Sequence, residues 1–152
     1  SVLMATIVFV AILSLSFQSL VSAEQSKDTY IATNLAAEGI EIVNNIRSNN
    51  WITLGRDNWR NGLNDGVFYI AQYDSYILIT DPLNPYLYID SVNSYCYESI
   101  NCVDPSKQSK FKRQIQISTI SSDQMKIIST VNWEYNNKSK TVSIEERLYN
   151  WR

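Results

Sequence analysis

The sequence predicts an α+β chain in which a long N-terminal α-helix packs on a C-terminal antiparallel β-sheet, and three observations carry that prediction. Residues 1–23 contain no charged side chain. From Glu24 to Asn49 apolar residues recur at helical spacing. From Val67 onward the period shortens, and short runs rich in Tyr, Val, Ile and Thr take over, the composition of strands.

The opening run, SVLMATIVFVAILSLSFQSLVSA, has only Ser, Thr and one Gln as polar members, and the first charge is Glu24. As a helix it is roughly 34 Å long, enough for a bilayer core. A cleaved signal peptide calls for a basic start and an apolar run of about 7–15 residues. Neither feature is present, so the segment is expected to belong to the working protein as a membrane-spanning helix.

The helix is expected to continue past the apolar run. Between Glu24 and Asn49 there is no Pro, and Ile31, Leu35, Gly39, Ile42 and Ile46 fall on one face with Ala32, Ala36 and Val43 beside them. These are the expected helix-to-head packing residues. Glu24, Lys27, Asp28, Asn34, Glu41, Asn44 and Asn45 are assigned to the opposite, solvated side. Asn49, Asn50, Gly55 and Gly62 mark the end, giving a helix over about residues 1–49, about 70 Å long.

The expected strands are Val67 to Tyr73, Tyr76 to Thr80, Tyr86 to Ile89, Phe111 to Ile117, Lys126 to Tyr135 and Lys140 to Leu148. Asn136-Asn137 tolerates positive φ and joins the last two as a hairpin. A sheet of four to six strands needs a cover for its apolar face, and the only amphipathic helix is 24–49. The domain reading is therefore a hydrophobic helix, 1–23, and a head, 24–152, comprising helix residues 24–49 and the sheet over 67–152.

Composition excludes several functions. With 13 basic and 15 acidic residues the net charge is −2. The basic residues are scattered apart from Lys107, Lys110, Lys112 and Arg113, so neither nucleic-acid binding nor a polybasic lipid surface is expected. The chain has no His, which removes the commonest general base and transition-metal ligand. No catalytic residue, metal site or cofactor is assigned, and no enzyme activity is expected. Glu145 and Glu146 are strand neighbours that point to opposite faces, read as a solvated edge rather than a catalytic pair. Trp51, Trp59, Trp133 and Trp151 are read as core rather than as a sugar-binding surface. Asn137-Lys-Ser139 fits a glycosylation acceptor at a turn tip. Cys96 and Cys102 lie in a polar, Tyr-rich stretch that reads as a loop. An exported head would close it with a disulfide; a reducing compartment would leave two free thiols.

The order of charge-free apolar helix, amphipathic continuation and antiparallel sheet resembles bacterial type IV pilins and the related pseudopilins of secretion systems. Three segments carry the resemblance: Asn34-Leu-Ala-Ala-Glu-Gly-Ile-Glu-Ile-Val-Asn-Asn-Ile-Arg47 is similar to the second half of the long helix in one group of pilin-like proteins, and Phe111-Lys-Arg-Gln-Ile-Gln-Ile117 and Val142-Ser-Ile-Glu-Glu-Arg-Leu-Tyr-Asn-Trp151 to strands of that group. The resemblance implies the pilin fold, anchorage in the inner membrane, cleavage by a prepilin peptidase, and assembly by pilus machinery into an extracellular helical filament of identical subunits. Within that filament Leu3, Ile7, Val10, Leu13, Phe17 and Leu20 would form the apolar core, with small residues such as Ala11, Ser14 and Ser19 letting helices approach. Pilins usually carry a Glu five residues from the processed terminus, where this chain has Ala5; either Ser1 is that terminus in a subunit lacking the Glu, the reading preferred here, or a few residues before Ser1 are missing, the frame in which Val2-Leu-Met-Ala-Thr-Ile-Val8 matches the run that follows the Glu in other members. A minor pilin or secretion pseudopilin, and a membrane-tethered binding module, are the alternatives. Adhesion, motility, DNA uptake and secretion are all compatible roles.

Overall fold

The computed structural model describes residues 2–66, 68–72, 78–98, 102 and 107–150. They form one long helix and an antiparallel sheet, the α+β layout expected from the sequence. The chain divides into two compact units, Ser1–Ile31 and Ala32–Arg152.

Helix α1 spans Val2–Thr53 and belongs to both units. In the first unit nearly every described side chain is exposed. Ile31 is half-buried. Asp28, expected on the solvated side, is buried. It precedes Ala32 by four residues and Leu35 by seven, which puts it on the stripe that continues through the buried Gly39, Ile42 and Ile46. Spacing overrides the residue's polarity there.

In the second unit α1 ends at Thr53, four residues later than expected. Asn50 is a helical residue whose buried side chain does other work: its Nδ2 donates to Trp59 O at 3.3 Å and Asn61 O at 2.7 Å, securing the returning loop. Gly55, with φ 84, then turns the chain into a 3₁₀ turn at Arg56–Asn58.

Among the described residues seven strands follow: β1 Phe68–Ile70, β2 Ile79–Thr80, β3 Tyr86–Ile89, β4 Tyr95–Cys96, β5 Lys107–Ser121, β6 Gln124–Tyr135 and β7 Lys138–Tyr149. All pairings are antiparallel, and β5 is the hub. One edge of β5 carries β6, which carries β7; the other carries β3 and then β1, extended by β4 and β2 respectively. The expected number of strands was four to six; the additional one, β4, falls in the Cys96 stretch read as loop, where Tyr95 and Cys96 pair with Ile89 and Tyr88. The expected strand limits Val67, Tyr73 and Tyr76 lie outside the described residues.

Along β5 and β6 burial alternates. Phe111, Arg113, Ile115 and Ile117 face inward from β5, and Met125, Ile127, Ser129, Val131 and Trp133 from β6. Ile40, Ile42, Val43 and Ile46 of α1 join Trp59, Leu63, Tyr69, Ile115, Ile117, Met125, Ile127 and Leu148 in one apolar cluster. The opposite face is polar, with cross-strand bonds such as Thr130 Oγ1 to Ser143 Oγ at 2.9 Å and Thr141 Oγ1 to Asn132 Oδ1 at 2.8 Å.

Candidate functional site

Within the first unit, Ile7, Val10, Leu13, Phe17 and Leu20 are 46–70% exposed. Helical rotation of 100° per residue spreads Val8, Phe9, Ile12 and Leu15, also exposed, over the sides between them. The side chain of Leu3 lies outside the described ones. Val2 to Ala23 is thus apolar around its whole circumference, not a stripe, the pattern of a membrane span or of a helix buried inside a protein. Its polar atoms make few demands: Ser16 Oγ donates to Ile12 O at 3.0 Å, within the same helix. Among the described residues α1 is the one helix long and apolar enough to cross a membrane.

In the second unit a buried Arg ties α1 to the sheet. Arg113, in the middle of β5, is 1% exposed. Its Nη1 lies 3.0 Å from Glu38 Oε1 and donates to Leu35 O at 3.1 Å, both on α1. Nη2 donates to Ala71 O, just beyond β1, and the guanidinium sits 5.8 Å from the Tyr97 ring centroid. Tyr97 returns the contact by donating its hydroxyl to Arg113 O at 2.8 Å. Burial pushes the Tyr97 phenol above its ordinary value, against the opposing pull of the Arg113 charge. The Arg stays charged here: burial works against the cation, but Tyr97 and Glu38 more than offset it and hold its pKa above the ordinary value.

Gly39 sits one helical residue from Glu38, directly over this cluster. A Cβ there would lie 3.2 Å from Ser129 Cβ and 3.3 Å from Arg113 Cδ. Glycine therefore sets how closely the helix lies on β5 and β6. Leu35, Ile42 and Ile46 are buried beside it, whereas Ile31, in the first unit, is half-buried.

Arg113 and Glu38 are absent from the packing residues expected from the sequence. The signal was available: Arg113 occupies the inward step of the alternation Phe111, Arg113, Ile115, Ile117, where a cation requires a buried partner. Glu146, read as part of a solvated edge, is half-buried and accepts from Asn44 Nδ2 at 3.0 Å, because the even-numbered residues of β7 face α1. Of the four Trp, Trp59 and Trp133 are buried and Trp51 half-buried; Trp151 lies outside the described residues.

Cys96 and Cys102 form a disulfide, Cα–Cα 5.4 Å. It anchors the segment that carries Tyr97 over Arg113. Among the described residues of this unit, two hollows share Tyr86. One, about 510 Å³, is lined by Tyr86, Lys110, Lys112, Asn132, Trp133 and Glu134 among others; the other, about 480 Å³, by Asp81, Pro85, Tyr86, Tyr88, Tyr97 and Glu98. Lys112 Nζ lies 4.2 Å from the Tyr86 ring centroid.

Comparison of the chain with protein-family models, with curated proteins and with solved structures gives no match.

Proposed function

We propose that this chain is a structural subunit of a type IV pilus-like extracellular filament, held in the membrane by residues 2–23 before assembly and polymerised through the same residues. The observation that carries the reading is the helix from Val2 to Ala23, apolar on every side and with its large side chains exposed. A single-pass anchor needs such a surface once, against lipid. A polymer needs it twice, because leaving the bilayer requires an equally dry environment, and identical helices from neighbouring copies supply one. Each large aliphatic or aromatic side chain transferred from water to such an interior contributes about 1.5–3 kcal/mol. Cohesion on this reading resides in residues 2–23. The outer surface is formed by the helix-on-sheet unit, whose disulfide suits an oxidising exterior. A few copies per filament, as in a minor pilin or pseudopilin, are compatible with the same chemistry.

A second reading, a membrane-tethered binding module, is favoured by the hollows around Tyr86. Photo-cross-linking from position 17 in living source cells separates the two. A filament subunit with a photoreactive residue at Phe17 gives a ladder of self-cross-linked species. A tethered module gives only monomer, which would end the polymer reading.

A further inference from the structure

The outer edge of β7 runs the length of a twelve-residue strand and meets no other described strand. Which of its groups face outward follows from the hairpin. Asn136 and Asn137, with φ 50 and 58, form a two-residue turn, so Tyr135 and Lys138 exchange backbone hydrogen bonds, and every second residue of β7 from Lys138 bonds to β6. Ser139, Thr141, Ser143, Glu145 and Arg147 therefore send their N–H and C=O groups away from the sheet. Tyr149, next in that series, confirms the phase: its carbonyl accepts from Arg47 Nε and Nη2 on α1. The side chains of the five residues before it are exposed.

Such an edge is a template for another strand, and natural proteins commonly deter pairing with edge charges. Here the charges have both signs and a particular spacing. In an antiparallel pairing of β7 with itself about a two-fold axis at Ser143, Lys140 of each copy falls opposite Glu146 of the other, and Val142 opposite Ile144. These even-numbered positions would form the closer, non-hydrogen-bonded pairs, about 4.5 Å between Cα atoms. Neighbouring registers lose this match. An axis at Val142 sets Lys140 against Ile144, one at Ile144 sets Val142 against Glu146, and one at Glu145 brings two carboxylates face to face.

We propose that β7 is a self-recognition edge, through which two copies of this chain pair strand to strand about Ser143 to join their sheets. Being isologous, this contact closes on itself; it is distinct from any helix packing that builds a polymer and does not depend on it. Its area is small, so it acts between copies already concentrated in one membrane or one assembly.

The test uses the full chain in proteoliposomes, with single cysteines added beside the existing disulfide. S143C brings two thiols together at the axis, with Cα atoms about 5.5 Å apart in a hydrogen-bonded pair, within disulfide range. It should form a covalent dimer on mild oxidation, whereas K126C, on the outer face of the inner strand β6, should not. On the S143C background, K140E or E146K should slow dimer formation about fivefold, as expected for replacing two favourable cross-strand pairs by repulsive ones. The K140E/E146K double variant should restore it. T141P, which removes an outward N–H that β6 does not use, should also slow it. Dimer formation by K126C equal to that of S143C would overturn the proposal by pointing to helix-driven association; so would single charge variants that leave the S143C rate unchanged, or a double variant that fails to recover.

Discussion

Arg113 is the residue on which the helix–sheet contact turns. It contributes one guanidinium to Glu38, Leu35 O and Ala71 O at once, so removing it strips acceptors on two elements of their donor and leaves space beneath Tyr97. Arg113→Ala is expected to lower the unfolding free energy by about 3–5 kcal/mol, the range for breaking one partner out of a buried ion pair. Arg113→Met fills the volume but leaves the same acceptors without their donor, so it is expected to fall at the low end of that range; urea titration followed by Trp fluorescence reads both. At Gly39, where a Cβ would press on Ser129 and Arg113, Gly39→Val is expected to cost about 1–3 kcal/mol by overpacking, against the usual gain for removing a helical glycine. Two titrations also belong at this scale. Asp123 accepts from Asn150 Nδ2 at 3.0 Å, and that bond lowers its carboxyl below the ordinary value. Its contribution is therefore present above the unfolded pKa and is lost as pH falls through the lower folded one, so Asp123→Asn should flatten the acid limb of the stability curve. Tyr97 has the opposite sense: raised by burial, it contributes fully below its unfolded pKa and loses that contribution as pH rises through the folded value. Tyr97→Phe should remove that alkaline loss.

Among the elements, the hairpin and the disulfide segment carry the clearest expectations. Asn136 and Asn137 both hold positive φ, so Asn136→Val, a β-branched residue forced into that region, is expected to cost on the order of 1–3 kcal/mol, and Asn137→Gly nothing. Opening the Cys96–Cys102 bridge by a paired Cys→Ser change is expected to cost about 2 kcal/mol through the entropy of its short loop. Thermal or denaturant unfolding with and without reductant checks the value. The same elements show how much was legible in the sequence. Helix and strand periodicity located α1 and the long strands because each buries a regular face, and the Asn pair identified its turn. Two kinds of feature escaped. Tyr95–Cys96 is a strand only because β3 lies beside it, a non-local fact that two residues cannot announce. Polarity alone places Asp28 and Glu146 in solvent, yet their positions on buried or half-buried faces are fixed by spacing, and the partner of Glu146, Asn44, lies on another element; Asn50 marks the helix end in the sequence, but its bonds to the returning loop do not show there. Arg113 escaped for the same reason: its four contacts come from segments scattered over the chain.

At the scale of the whole molecule, the chain joins a helix that is apolar all round to a helix-on-sheet unit with a polar outer sheet face. Putting a charge at the helix surface tests the anchorage itself: Leu13→Lys places a cation at the middle of the 2–23 run, and is expected to disfavour insertion by about 2.5–3.5 kcal/mol, read as the fraction of chain recovered with the membrane, while leaving the second unit's stability unchanged. The proposed filament is tested most directly by electron cryo-microscopy of filaments sheared from the source cells, with mass spectrometry of their peptides. The account predicts helical density into which this chain fits, with residues 2–23 of successive copies packed together in the interior and peptides of this chain in the same fraction. Filaments built from a different chain, with this one found as an isolated monomer in the membrane fraction, would contradict it.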